Sequence, residues 1–381
     1  MSVYFDNNAT TQPDERVVDA MLPFLRAGYG NPSGVHGLAR DARSAVDGAR
    51  EHVAALVNVH VSQVLFTSGG TEANNIALKG AVWGMAIERM VVSAVEHASV
   101  MDVAAYLRES GCQVRELDVD HQGVVDMAAA RGVVEQFRPQ FCSVMAANNE
   151  TGAVQPTLAV ADLVRANGGV MHIDAVQALG KVPVDFLQSG AHLMSLSGHK
   201  IYGPKGVGAL IVDKAIDFVP LFHGGGQERG LRSGTENVAA IVGFGKAAQL
   251  ALKEGVERSA HVLELRRELE RRLRSLAGVT LFSDAADKLP NTVFFGANGI
   301  DGETLIVALD TLGVAVASGA ACASKSARAS HVLLAMGIEE SLARSAVRVS
   351  LGHNNTFDEV SFFVRALEKQ LKLFSSMPAL W

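Results

Sequence analysis

Residues 170–200 read VMHIDAVQALGKVPVDFLQSGAHLMSLSGHK and contain two apolar runs that each end in polar residues. The first run, 170–173, is followed by Asp174, and the second, 193–196, is followed by Ser-Gly-His-Lys200. Short aliphatic runs bounded by glycine and polar residues indicate buried β-strands. The stretch therefore predicts two strands of a parallel sheet. Their carboxyl ends carry polar side chains, and ligands bind at that edge of such sheets.

The same pattern of short apolar runs and helical periodicities extends over much of the chain. Further candidate strands lie at 64–67, 90–95, 114–117, 142–146 and 208–212. Helical stretches lie between the earlier strands, near 71–86, 99–109, 124–137 and 157–167. Alternation of strands and helices predicts βαβ units and a mostly parallel sheet flanked by helices. We therefore expect an α/β fold.

The pattern changes after a glycine-rich stretch at 223–234. A long helical region follows at about 236–276, and beyond it helices mix with short strands at 280–283, 292–295, 314–317 and 347–351. This change predicts that a large domain at 15–260 is followed by a smaller α+β domain at 261–381, and we expect 1–14 to belong to the smaller domain as well.

Composition excludes several functional classes. Only 19% of the 381 residues are charged, the net charge is −6 and no segment is strongly basic, so neither nucleic acid nor an anionic membrane is an expected partner. No apolar run approaches the ~18 residues that cross a bilayer, and the first residues lack the order of a signal peptide. The cysteines Cys112, Cys142 and Cys322 are too few for a disulfide framework and lack metal-ligand spacing. We expect a soluble, cytoplasmic protein with no metal site.

Lys200 is a candidate nucleophile. It lies at the mouth of a buried strand between polar residues that include Ser197 and His199. An amine that loses solvation at such a place can form a Schiff base with a carbonyl compound. A surface lysine in a loop is the alternative interpretation.

Asp174 follows the other apolar run. A carboxylate beside a pyridine nitrogen favours the protonated ring, whereas an aspartate after a strand can also cap a helix. The short separation of Asp174 and Lys200 in the chain favours the first interpretation, because it predicts neighbouring strand ends. An acid and a lysine so placed suit pyridoxal 5′-phosphate, whose ring needs both partners.

Two further segments have compositions typical of functional loops. Residues 66–75, FTSGGTEANN, combine a glycine turn with a helix start, so backbone N–H groups and the Thr71 hydroxyl can bind an anion, although such caps also occur without ligands. Residues 317–330, ASGAACASKSARAS, contain almost nothing large and apolar. They predict a mobile loop with the Cys322 thiol exposed near its tip as a candidate nucleophile.

Together these residues resemble the cysteine desulfurases of the NifS/IscS type, in the class V aminotransferase group of fold-type I pyridoxal-phosphate enzymes. The resemblance extends over nearly the whole chain. It includes YFDNNATT at 4–11, NNETG at 148–152, RSGTEN at 232–237 and VRVSLG at 347–352. The Cys322 loop is specific to the desulfurase branch, and its length is similar to that of the long-loop NifS/IscS subgroup. The resemblance implies an aspartate aminotransferase-like fold, with the Cys322 loop in the smaller domain.

The resemblance also implies roles around the cofactor ring. Lys200 would hold pyridoxal 5′-phosphate covalently and move protons, while Asp174 would pair with the pyridine nitrogen. Gln177 would donate to the phenolic oxygen. His97 would stack on the ring and serve as acid or base, although a helix-capping or core histidine is the alternative.

Other implied roles concern the phosphate, the substrate and the sulfur. The phosphate would be held by Gly70, Thr71, Ser197, His199 and, from the neighbouring subunit of a homodimer, Thr235. Asn149 would contact the cofactor and, with Arg348, bind the substrate carboxylate. Arg348 could instead be an ordinary strand-edge charge. Cys322 would attack the substrate sulfur.

The implied activity is conversion of L-cysteine to L-alanine, with the sulfur carried as a persulfide to an acceptor protein such as an iron–sulfur scaffold. A selenocysteine lyase and a class V aminotransferase without sulfur chemistry are alternatives that Cys322 argues against. A non-catalytic binding module is a more remote alternative, because the chain retains both Lys200 and Asp174.

Overall fold

A computed structural model describes residues 2–319 and 329–376 of the chain. Its strands are β1 Val3–Tyr4, β2 Val64–Thr67, β3 Arg89–Ser93, β4 Gln113–Leu117, β5 Phe141–Ser143, β6 Val170–Asp174, β7 Leu193–Ser197, β8 Gly208–Val212, β9 Val279–Leu281, β10 Thr292–Ala297, β11 Val314–Ala315, β12 Ala317–Ser318 and β13 Ala346–Ser350. Its helices are α1 Glu15–Arg26, α2 Gly37–Leu56, α3 Gly70–Asn75, α4 Ala81–Gly84, α5 Ala98–Glu109, α6 Met127–Phe137, α7 Thr157–Ala166, α8 Phe186–Ser189, α9 Val238–Leu273, α10 Gly302–Asp310, α11 His331–Ala335, α12 Glu340–Arg344 and α13 Phe357–Ser376.

The largest sheet has seven strands in the order β2-β8-β7-β6-β5-β3-β4. Strands β7, β6, β5, β3 and β4 pair in parallel, whereas β8 is antiparallel to both of its neighbours. The predicted α/β fold with a mostly parallel sheet is therefore confirmed.

Both faces of this sheet are covered. Because side chains alternate along a strand, Phe66 and Met171 pack on one face with α2, α6, α7 and α9, and Leu65 and Val170 pack on the other with α3 and α5. Burial on both faces explains why these strands are apolar along their whole length, and why polar residues appear where they end.

The C-terminal part of the chain forms a separate antiparallel sheet in the order β12-β13-β10-β9. Its core also contains Val3 and Phe5 from the N-terminus, because β1 pairs with β11 in parallel. The N-terminal residues therefore pack with the C-terminal part of the chain and then continue into the first core.

Helix α9 is 36 residues long and belongs to both cores. Its first turns pack against the large sheet through residues such as Phe244, and its last turns pack in the second core through residues such as Leu265. The predicted boundary between 260 and 261 falls inside this helix, so the division into two domains stays a prediction.

Most sequence-based boundaries shift by up to three residues, as for the strands expected at 90–95 and 142–146, and two predicted elements are interrupted. The run at 314–317 was expected to be one strand, but β11 and β12 pair with different strands, β1 and β13, so the chain leaves one sheet and joins another there. The helix expected at 71–86 is interrupted by a π-helical turn at Ile76–Gly80, between α3 and α4. Among the described residues no helix has the length and apolar character needed to cross a membrane.

Candidate active site

The ends of β6 and β7 bring Asp174 and Lys200 to the same edge of the large sheet. These strands pair in parallel, with Asp174 opposite Ser195, and a short 3₁₀ turn at Gly198–Lys200 follows β7. Lys200 Nζ donates to the carbonyl oxygens of Asn8 and Ala9, the latter at 2.8 Å. The structure thus places the predicted acid and lysine at neighbouring strand ends.

The carboxylate of Asp174 is buried and held by two donors. Its Oδ1 accepts from the backbone N–H of Val176 at 3.0 Å, and its Oδ2 accepts from Asn74 Nδ2 at 2.7 Å. No helix begins at Asp174, so the alternative role as a helix cap is wrong; the residues that follow form turns. Both contacts fix the carboxylate at the cavity edge as a hydrogen-bond acceptor.

His97 is linked to Asp174 through two residues that sequence reasoning missed. Asn74 Nδ2 contacts Ser99 Oγ at 2.8 Å, and Ser99 Oγ lies 2.7 Å from His97 Nδ1. His97 is also the N-cap of α5, because Nδ1 accepts the Ser99 N–H at 3.1 Å. With Nδ1 acting as an acceptor, the neutral ring carries its proton on Nε2. Burial lowers the pKa of His97, which favours this neutral form.

The sequence left two alternatives for His97, a helix cap or a residue of the site. In the structure His97 caps α5 and also lines the cavity. Asn74 belongs to the segment 66–75, which the sequence singled out, and Ser99 begins the helical stretch predicted near 99–109. Their connecting role depends on how α3 packs against α5, which the sequence pattern does not contain.

The other end of the cavity is suited to an anion. A Cβ on Gly70 would lie 2.7 Å from Val176 Cγ2, so only glycine lets the start of α3 approach the turn after β6 this closely. The hydroxyl of Ser197 is buried and has no hydrogen-bond partner among the described residues. His199 contacts Thr10 Oγ1 through Nδ1 at 3.2 Å, and burial lowers its pKa to about 4. An unpaired buried hydroxyl requires a partner, and a phosphate oxygen would supply one.

A further part of the cavity, which we call the substrate end because the sequence predicts substrate binding there, contains Arg348 on β13. This strand lies between β12 and β10, and Arg348 is only 4% exposed, so its alternative as an ordinary strand-edge charge is wrong. Its Nη1 donates to the carbonyl oxygen of Asn149 at 2.9 Å, and its Nη2 pairs with Asp6 Oδ1 at 2.7 Å. The guanidinium Nε is buried without a partner among the described residues, so the group retains donors for a carboxylate.

These groups surround one cavity of about 310 Å³. Its lining contains Gly70, Thr71, Asn74, His97, Asn149, Asp174, Gln177, Ser197, His199, Lys200 and Arg348. Of the remaining predicted site residues, Thr235 is exposed and does not line this cavity, and Cys322 lies outside the described residues. The catalytic roles of all these residues stay predictions.

The cavity fits pyridoxal 5′-phosphate in three respects. The unpaired Ser197 hydroxyl beside Gly70 suits the phosphate, the buried Asp174 suits the pyridine nitrogen, and Lys200 supplies an amine. All three lie on the lining of the same cavity.

Two buried carboxyl groups lie near this cavity. Burial raises the pKa of Glu96 to about 8; its Oε1 accepts from Ser93 Oγ and from the Met145 N–H, both at 2.6 Å. Burial also raises the pKa of Glu150 to about 7, against the opposing effects of a hydrogen bond from Ser330 and of the Arg348 charge.

Comparison with known proteins identifies similar chains. The family model for aminotransferase class-V matches residues 3–363. The cysteine desulfurase IscS of Clostridium botulinum is 38% identical over 384 residues, covering 100% of this chain and 96% of that protein. A solved structure described as a NifS-like protein is 38% identical with a TM-score of 0.92, covering 98% of this chain and 100% of its own. Another, described as SspA in complex with cysteine, is 29% identical with a TM-score of 0.81, covering 93% of this chain and 100% of its own.

Proposed function

The chain belongs to the class-V aminotransferase family and, within it, to the cysteine desulfurases, and from this premise we propose how its residues convert L-cysteine to L-alanine. The family depends in general on pyridoxal 5′-phosphate. The observation that carries the proposal is the cavity in which Lys200, Asp174 and the unpaired hydroxyl of Ser197 converge.

We propose that the cofactor is held at both ends. Lys200 binds it through its amine, Asp174 faces the pyridine nitrogen, and Gln177 donates to the phenolic oxygen. The remaining contacts are to the phosphate, from Gly70, Thr71, Ser197 and His199. When bound, pyridoxal phosphate withdraws electrons from the substrate amino acid, which makes its α-proton acidic.

Proton movement is assigned to Lys200 and His97. The amino group of cysteine would replace Lys200 on the cofactor, and the amine freed in this way, at the edge of the sheet beside the cofactor position, can take the α-proton of the substrate and return a proton nearby. The neutral ring of His97 carries a proton on Nε2 and can donate it. Asn149 and Arg348 orient the substrate by binding its carboxylate, and the Asp6 contact fixes the guanidinium for that task.

Sulfur transfer is assigned to Cys322. Its thiolate forms a bond to the substrate sulfur as the bond between that sulfur and the β-carbon breaks. The electron pair of the broken bond stays with the substrate carbon, which takes a proton and becomes the methyl group of alanine. The enzyme is left as a persulfide, from which an acceptor protein such as an iron–sulfur scaffold takes the outer sulfur. Because the attacking species is a thiolate, we expect the reaction in the reducing cytoplasm.

We also propose a homodimer in which Thr235 of each chain reaches the phosphate in the other. The position of Thr235, exposed and away from its own cavity, supports a role across subunits. Each chain would consist of a large domain at 15–260 and a small one formed by 1–14 and 261–381.

Replacing Cys322 by alanine tests the proposal. The purified Cys322→Ala variant should keep the visible absorption of the bound cofactor and lose alanine production from cysteine. Cys112→Ala is the matched control, because Cys112 is buried with its Sγ against the Gln113 carbonyl oxygen, and it should keep full activity. Undiminished alanine production by Cys322→Ala would overturn the sulfur-transfer step. Absence of visible absorption in the wild type with added pyridoxal phosphate would overturn the cofactor assignment.

A further inference from the structure

Lys181 has no part in the reaction as proposed so far, yet its amine reaches the site. It lies four residues after Gln177, at the end of the turns that follow β6. The side chain as a whole is half-buried, but its Nζ contacts two residues that are almost fully buried, Asn8 and Gln177.

The hydrogen bonds around Gln177 determine the orientation of its amide. Lys181 Nζ donates to Gln177 Oε1 at 2.8 Å and to Asn8 Oδ1 at 2.9 Å. On the other side, Gln177 Nε2 donates to the Asn8 carbonyl oxygen at 3.0 Å. A lysine amine at this position donates and a backbone carbonyl only accepts, so both neighbours require the same orientation of the amide.

This orientation has a consequence for the cavity that Gln177 lines. An amide nitrogen carries two protons, and one of them is donated in the hydrogen bond to the Asn8 carbonyl oxygen. The second proton is left for a ligand in the cavity. With the amide reversed, Oε1 would face the ligand and would repel an anionic oxygen there.

We propose that Lys181 is a positioning residue for the desulfurase reaction: it fixes the amide of Gln177 so that Nε2 donates to the phenolic oxygen of the bound cofactor. The inference rests on the cofactor site proposed above. It deepens that proposal by assigning a task to a residue outside the set that touches the cofactor.

The surrounding charges are compatible with this task. Lys200 and Arg348 are the charged groups that act on Lys181, and both are positive. Burial and these two charges lower the pKa of Lys181. Both the neutral amine and the ammonium can donate two hydrogen bonds, so the amide of Gln177 is fixed in either state.

A structural cross-link is the competing explanation, because Lys181 also supports Asn8. Asn8 has other partners, since Asn291 Nδ2 donates to Asn8 Oδ1 at 2.9 Å and Asn8 Nδ2 donates to Thr292 Oγ1 at 2.9 Å. A cross-link alone would change stability and leave the electronic state of the cofactor unchanged.

The test is a pH titration of the visible absorption of the bound cofactor in the full-length enzyme carrying Lys181→Met. A donor to the phenolic oxygen favours its anionic state and so disfavours the proton that it shares with the Lys200 nitrogen. Without that donor the proton is retained to higher pH, so the titration midpoint should rise by about one pH unit. Lys181→Arg keeps hydrogen-bond donors at this position, so its titration midpoint should stay close to that of the wild type.

A double-mutant cycle separates positioning from packing. Gln177→Leu should raise the midpoint by a similar amount, and the double variant with Lys181→Met should show no further rise, because both changes remove the same donor. Lys288→Met is the matched control. Lys288 is another half-buried lysine, and its Nζ lies 2.7 Å from Glu270 Oε1. It does not line the cavity, so its loss should leave the midpoint unchanged.

Each outcome decides the inference. An unchanged midpoint in Lys181→Met, or additive shifts in the double variant, would overturn it while leaving the cofactor site intact. A wild type that shows no visible absorption with added pyridoxal phosphate would instead overturn the proposed function. Should Lys181→Met fail to fold, Lys181→Ala, which also removes the donor to Gln177 Oε1, replaces it in the titration, and an unchanged midpoint there would overturn the inference in the same way.

Discussion

The two ends of the cavity are built in different ways. At the cofactor end, Asp174 and Ser197 are the last residues of β6 and β7, so the register of the large sheet sets their positions. At the substrate end, Arg348 lies within β13 and is aimed by side-chain and loop contacts to Asp6 and Asn149. The first arrangement is local to neighbouring strands, whereas the second joins residues that are 342 positions apart in the sequence.

This difference suggests that substitutions at the two ends of the cavity have different effects on the reaction. The cofactor end is fixed by backbone hydrogen bonds of a sheet buried on both faces, so its residues should affect chemistry and cofactor affinity. The substrate end depends on the N-terminal segment that packs with the second core, so its residues should mainly affect substrate binding. The predictions below separate these two effects.

The largest effect is expected from Asp174→Asn at the cofactor end. Without the carboxylate, nothing holds the positive charge on the ring nitrogen, and kcat should fall by a factor of about 10²–10³. The visible absorption should remain, because Lys200 is unchanged. Steady-state kinetics measure the effect, with Asp126→Asn at the N-cap of α6 as a control of full activity. A kcat near that of the wild type would contradict the role of Asp174.

Arg348→Lys, a substitution at the substrate end, should mainly change KM. Lysine keeps the charge but loses the planar fork, so KM for cysteine should rise about 10- to 100-fold while kcat changes much less. Arg344→Lys, on the exposed α12, is the control and should leave KM unchanged. If kcat fell as strongly as KM rose, the proposed separation of the two ends would be wrong.

Ser197→Ala should weaken cofactor binding by about 10-fold, measured as the dissociation constant of pyridoxal phosphate. Because the hydroxyl has no partner among the described residues, the cofactor-free variant should be at least as stable as the wild type. Ser195→Ala gives the opposite result, since Ser195 Oγ contacts His172 Nε2 at 3.0 Å on the buried sheet. That variant should lose stability with little change in affinity. A destabilised Ser197→Ala chain with unchanged affinity would refute the phosphate contact.

Glu96→Gln should have the smallest effect on activity and a distinct effect on stability. The folded chain keeps the Glu96 proton up to about pH 8, whereas the unfolded chain releases it near the ordinary value of 4.5. The stabilisation from Glu96 is therefore full below pH 4.5 and is lost as pH rises through 8. Glutamine does not titrate, so the variant does not lose this stabilisation as the pH rises. Between these pH values the free energy of unfolding of the variant, relative to that of the wild type, should therefore increase by up to ~1.4 kcal/mol per pH unit.

Urea unfolding at several pH values measures this slope. Glu88→Gln, an exposed residue just before β3, is the control and should follow the wild type at each pH. Parallel stability curves for Glu96→Gln and the wild type would show that Glu96 is ionised in the folded chain.

The cofactor end was largely predictable from the sequence. A run of apolar residues indicates a buried strand, and the polar residues after the run indicate where the strand ends. Asp174 and Lys200 follow apolar runs, and the pairing of β6 with β7 places them together. The strand 208–212 was also predicted at the residues where it occurs, although its antiparallel direction was not.

The substrate end and the connecting residues were not predictable in the same way. Asn8 contacts Lys200, Gln177 and Lys181, and these partners are more than 160 positions away in the sequence. No periodicity encodes such contacts, because they depend on how the N-terminal segment crosses between the two cores. The sequence could name Arg348 only through a family resemblance, and it gave no sign of the Asp6 pair that holds it.

The most direct test of the account is the attachment point of the cofactor. Reduction of the purified, cofactor-loaded enzyme with borohydride, followed by peptide mapping, records which lysine is bonded to the pyridoxyl group. The account predicts a single modified peptide with the tag on Lys200. A tag on Lys181, on Lys205 or on no lysine at all would contradict it.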